Sequence, residues 1–179
     1  MSQVIDLEES RLLVAARRGY RNWSSFFKED FGVATRLSQI SLKTLSFLAQ
    51  GREKGTFYIY DLIMSLKGLG SGFEFAELSP KKKMVVIDLY LFLLDRIRSE
   101  CMKRLGWLQS YPGEQYALVE LIVTFDKLTP NLQEESPELR PDYPDYKAYS
   151  EMNTFDKEVF IRKLIPLALD EIQDHSTTL

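Results

Sequence analysis

Apolar residues recur along most of this chain at three- and four-residue steps, the spacing of a single helix face. Leu12, Leu13, Ala16, Tyr20, Trp23 and Phe27 trace a first helix that ends before Gly32, and Asp6 with Glu9 three residues on resembles a capping box at its start. Val33, Leu37, Ile40, Thr44, Phe47 and Leu48 predict a second helix, stopped at Gly51. The run Thr56 to Tyr60 has strand-like residues, but Tyr60, Ile63, Met64 and Leu66 continue it with a helical period and make it a third helix. Gly68 to Gly72 then forms a glycine-rich loop.

Ser79 suits an N-cap and Pro80 a first helical residue, so a long fourth helix is expected over about residues 80–108, at the centre of the fold. After a turn at Tyr111-Pro112-Gly113, the stretch from Tyr116 to Leu128 predicts a fifth helix ended by Pro130. A sixth opens near Asn153 and Asp156, with Phe155, Val159, Leu164, Ala168 and Ile172 inward and a kink expected at Pro166. Between them, residues 129–150 carry Pro130, Pro137, Pro141 and Pro144 and read as an extended, polyproline-like arm. The expectation is an all-α protein, residues 1–179 forming a single-domain bundle of about six helices with a Pro/Tyr-rich arm.

Composition supports an ordinary folded domain, with 45% apolar and 27% charged residues in 179. The formal net charge of -3 is concentrated in the arm, where five acids face two bases between Thr129 and Ser150. A balanced remainder argues against global steering of nucleic acid or of an anionic membrane. The longest apolar run, Met84 to Leu94, is interrupted by Asp88 and falls short of the roughly 20 residues that span a bilayer. One cysteine, Cys101, excludes an internal disulfide, and residues 1–6 lack a secretory pattern, so a reducing cytoplasmic setting is expected.

Familiar chemical signatures are not found. His175 is the only histidine and sits in a polar tail, so no histidine-dependent triad is expected and no metal or cofactor site is assigned. The glycine loop follows a helix, which fails the test for a dinucleotide-binding turn. No catalytic residues are assigned, and the balance leans away from an enzyme.

Three groups remain as candidate binding residues. Asp88 and Asp95 lie seven residues apart on one face of the fourth helix, either paired with Arg or Tyr from neighbouring helices or facing a pocket for a small molecule. Lys81, Lys82 and Lys83 oppose the macrodipole in that helix's first turn and could receive an anion, or could simply form a solvated basic turn. Tyr143, Tyr146 and Tyr149 would line one side of a polyproline helix and so could dock on their own bundle or on a partner. Arg17, Arg18 and Arg21 alternate with aromatic residues, a pattern better explained by an amphipathic core helix than by nucleic-acid binding. The reading that results is a non-enzymatic interaction or regulatory module whose partner is another protein or a second copy of itself. The competing reading is a small-ligand pocket around Asp88, Asp95 and Lys81 to Lys83.

Overall fold

Tyr20 and Trp23 point from the first helix into the core, as their spacing predicts, and solvent barely reaches either. They belong to a computed structural model that describes residues 7–132 and 134–176, with side chains as far as Gln173. Asp6, read as part of a capping box, and the side chain of His175 lie outside the described residues.

The architecture is an all-α bundle. Its helices are α1 (Leu7–Phe27), α2 (Leu42–Ala49), α3 (Glu53–Leu66), α4 (Pro80–Arg104), α5 (Leu118–Val123), α6 (Phe125–Leu132), α7 (Tyr146–Ser150) and α8 (Thr154–Ser176). Two 3₁₀ turns, Leu37–Gln39 and Gly72–Glu77, and a small antiparallel ribbon of β1 (Leu108–Ser110) with β2 (Glu138–Leu139) complete it. Helix α4 is central, packing against α2, α3, α8 and β1. No helix among the described residues is long and apolar enough to cross a membrane.

Local sequence explains where the long helices start and stop. The Ser79 hydroxyl accepts a hydrogen bond from the Lys82 amide, and Pro80 occupies the first turn of α4. Gly68 and Gly106 follow α3 and α4 with φ of 68° and 82°. In each case the residue after the glycine bonds back across the last turn, Leu69 to the Met64 carbonyl and Trp107 to the Met102 carbonyl, so both helices end in a Schellman motif. Gly106 therefore closes α4 at Arg104, short of the expected end near residue 108.

Three other elements depart from expectation. Only the later part of the second helical stretch is helical, because Leu37–Gln39 forms a 3₁₀ turn and Ser41 then caps α2. The fifth helix is divided at Thr124, whose hydroxyl donates to the Glu120 carbonyl, a back-bond that competes with the regular ladder and bends helices. Pro130 lies inside α6 rather than ending it, and the carbonyl it leaves without a donor is that of Asp126, an exposed residue.

Tyr143 to Tyr149 of the arm is not a polyproline helix. Arg140 to Tyr143 and Tyr143 to Tyr146 form successive turns, each closed by a hydrogen bond from the fourth residue to the first carbonyl. Pro141 and Pro144 occupy the second position of these turns, where a fixed φ is favourable and no N–H is needed. Helix α7 follows directly.

Two apolar clusters share the interior. The larger joins α1 to α5, with Trp23, Leu45, Leu62, Leu89, Ile97 and Ile122 among its members. The smaller gathers Met102, Leu108, Leu139, Tyr149, Ile161, Leu164 and Ala168 beneath the arm. The buried face of α8 is set by Ile161, Leu164, Ala168 and Ile172, so Phe155 and Val159, expected to point inward, are exposed on its other side. Helix α8 also continues past Pro166 and through His175, which the sequence placed in a polar tail.

Candidate functional site

Along α4 the buried residues Leu89, Leu93, Ile97 and Cys101 form one stripe on the larger cluster, which turns a second stripe, exposed at its start and buried at Ser99 and Met102, towards α6 and α8. That second stripe contains Asp88, Leu91, Phe92, Asp95, Ser99 and Met102 and lines a cleft of about 620 Å³. Phe125, Thr129 and Leu132 of α6 form one wall. Glu158, Ile161, Arg162 and Ile165 of α8 form another, and Glu135, Ser136 and Pro137 of the arm close one end. The cleft runs along the seam between the two apolar clusters, with Phe92 and Phe125 packed on the larger and Ile165 on the smaller.

Its floor is apolar and its rim is charged. Arg162 on α8 reaches the Asp95 carboxylate on α4 at 3.5 Å and Glu158, one turn away, at 3.1 Å. All three groups keep substantial contact with water, so the pairs hold the two helices together only weakly. Arg96 is committed elsewhere. Its Nη1 donates to the Pro112 carbonyl at 2.6 Å, its guanidinium lies 4.8 Å from the Phe92 ring centre, and its Nε is buried without a partner. Burial lowers the pKa of Arg96, an effect opposed by the neighbouring Asp95, although a guanidinium remains charged under any ordinary condition.

Asp88 and Glu135 have no hydrogen-bond or ion-pair partner for their carboxylates among the described residues. The lining therefore holds four carboxylates against two guanidinium groups. A second hollow of about 460 Å³ adjoins it, sharing Pro112, Glu135, Ser136 and Thr154, and adds Glu114, Glu134 and Glu138 against Lys157. Glu114 is paired with Lys103 at 2.5 Å. An exposed apolar side chain of α4, Leu91, lies between Asp88 and Asp95 in the sequence and lines the cleft with them. Among the described residues no three His, Cys, Asp or Glu side chains are grouped to hold a metal ion.

The candidate residues from the sequence divide among three places. Asp88 and Asp95 both line the cleft, Asp88 exposed and Asp95 paired across it with an arginine. Lys81, Lys82 and Lys83 stay in the first turn of α4 and are not part of the lining. The amides of Lys82 and Lys83 are already taken by the Ser79 hydroxyl and carbonyl, and the Lys83 ammonium lies 5.9 Å from the Phe75 ring centre. Tyr149 is buried against Phe160, Tyr143 packs beside Trp107, and Tyr146 is exposed. The Tyr149 hydroxyl donates to the Pro137 carbonyl, so the buried tyrosine of the arm anchors one wall of the cleft.

Sequence reasoning did not identify Arg96, Arg162, Glu158 or Glu135. The Glu158–Arg162 pair was visible as an i,i+4 spacing, and Arg96 stood out as a cation inside an otherwise apolar stretch. Their convergence depends on the packing of α8 against α4, which no local pattern encodes. No protein-family model, curated protein or solved structure matches the chain.

Proposed function

We propose that this chain is a non-enzymatic, cytoplasmic interaction module that holds a polypeptide segment of a partner in the cleft between α4, α6 and α8. The observation that carries this reading is the pairing of an apolar floor with unpartnered carboxylates at the rim, Asp88 and Glu135 above Phe92, Phe125 and Leu132. An open site of this kind suits side chains that bury apolar surface while presenting positive charge to the acids, as in helix-in-groove recognition. The buried thiol of Cys101 suits a reducing setting.

A labelled peptide alternating Leu and Lys residues is expected to bind with an affinity that falls as salt rises. Its counterpart with Glu in place of Lys is expected not to bind, and Asp88→Lys or Leu91→Glu should weaken the first peptide by about tenfold or more. Equal binding of both peptides, or no effect of either substitution, would remove the cleft as the working surface.

The volume, about 620 Å³, also lies in the range of small-molecule sites, which favours a second reading in which the occupant is an organic cation with an apolar body. Such a ligand would displace the peptide and raise the melting temperature of the free protein.

A further inference from the structure

Helix α1 presents a stripe with the complementary character. Leu7, Arg11, Val14, Arg18 and Arg21 follow one another at steps of four, three, four and three residues, opposite the face that buries Ala16, Tyr20 and Trp23. Leu7 is 74% exposed and Val14 55% exposed, and the four arginines Arg11, Arg17, Arg18 and Arg21 are exposed without a carboxylate partner among the described residues. The acids of this helix, Glu8 and Glu9, are confined to its first turn, which leaves the rest of the stripe cationic. An exposed helix face that alternates valine or leucine with unpaired arginine is the inverse of the α4 stripe, where Leu91, 52% exposed, lies between Asp88 and Asp95.

We infer that the segment accommodated by the cleft is the outer face of α1 from a second copy of this chain. This rests on the proposed role of the cleft and names its partner. Val14 and Leu7 would meet Leu91 and Phe92 while Arg11, Arg18 and Arg21 meet the carboxylates at the rim. Because the two surfaces lie on different parts of the molecule, the contact is heterologous, and repetition builds a ring or an open chain rather than a two-fold dimer. The arginine stripe could equally meet a nucleic acid or an anionic membrane, but neither would use the acidic cleft, and only a second copy satisfies both surfaces at once.

Charge reversal of residues that make no internal pair tests this directly. Light scattering over a range of concentrations should show the wild-type chain associating, less so at high salt, and Arg18→Glu or Asp88→Lys alone should weaken association by about tenfold or more. An equimolar mixture of the two variants should associate again, because opposite charges then meet at every junction between unlike molecules. A wild-type chain that stays monomeric at low salt, association untouched by either reversal, or a mixture that fails to recover would each overturn the inference. Binding of the Leu–Lys peptide distinguishes the two failures: a monomeric chain that still binds it keeps the cleft as a site for another protein, whereas one that does not loses both readings.

Discussion

The hydroxyl of Tyr111 donates to the carboxylate of Glu100 at 2.7 Å, joining the loop after β1 to the last turns of α4. Arg104 holds the other oxygen of the same carboxylate at 3.1 Å, and its Nη2 also donates to the Leu37 and Ser38 carbonyls. Glu100 is almost completely buried, so these two partners replace the water it loses. Arg98 acts similarly on the Ala49 carbonyl and Arg96 on the Pro112 carbonyl. Three arginines of the central helix thus fasten the connections around it.

Tyr111→Phe is expected to destabilise the fold by about 1–3 kcal/mol, since it leaves a buried carboxylate oxygen without its donor. Glu100→Gln should partly offset this in the double variant, because a neutral amide is less costly to bury unpaired than a charge. Urea unfolding of the single and double variants measures both effects, and additive losses would show that Tyr111 and Glu100 do not act together.

The helical bundle was legible in the sequence because its signals are local. The Tyr20–Trp23–Phe27 spacing, the Ser79-Pro80 cap and the glycines after α2 and α3 each act within a few residues. The Arg-Pro-Asp-Tyr and Tyr-Pro-Asp-Tyr tetrads were also local, and read as turns with Pro second they predict what is seen; three-residue periodicity was the weaker guide. Two of the four carboxylates that line the cleft, Asp88 and Asp95, stood out in the sequence. The remainder did not, since Glu135 and Arg162 reach the cleft only through the arm and through α8, and the outward turn of Phe155 depends on which stripe of α8 meets the core.

Glu29 caps the start of α2 from a distance, accepting hydrogen bonds from the Ser41 amide and from the Ser41 and Thr44 hydroxyls. Burial acts to raise its pKa, but these bonds together with Arg104 bring it below the ordinary 4.5. A carboxylate depressed in the folded state contributes stability that is complete above its unfolded value and disappears as pH falls through its folded one. The wild-type chain should therefore be more stable than Glu29→Gln at neutral pH, and the difference should shrink below about 4.5. Denaturant midpoints of the two proteins across that range check it, and a gap that stays constant with pH would show that the charge is irrelevant.

Cys101 faces the core from α4, and burial pushes its thiol up to about 12. Thiolate is the reactive form, so the native protein should resist a thiol-specific reagent at mildly alkaline pH and react stoichiometrically once unfolded. Rapid labelling without unfolding would place the helix in exchange with an open form. The same reagent then reports how often α4 separates from its neighbours.

Tyr149 ties α7 to the wall of the cleft through its hydrogen bond to Pro137, while its ring packs 5.3 Å from that of Phe160. Burial, with a smaller contribution from Glu138, pushes its phenol up to about 12. The folded state therefore retains a proton that the unfolded chain releases near 10, so stability should fall as pH rises from 10 towards 12. Tyr149→Phe should cost about 1 kcal/mol at neutral pH and make that alkaline decline shallower, the other buried tyrosines still contributing to it. Tyr149→Ala, which also empties part of the smaller apolar cluster, should cost about 3–5 kcal/mol, the range for a large buried aromatic. Hydrogen exchange at residues 134–139 separates the two roles of this side chain. Faster exchange there in Tyr149→Phe, with the helices unchanged, would show that the hydroxyl fixes the cleft wall, and unchanged exchange would leave it with a packing role alone.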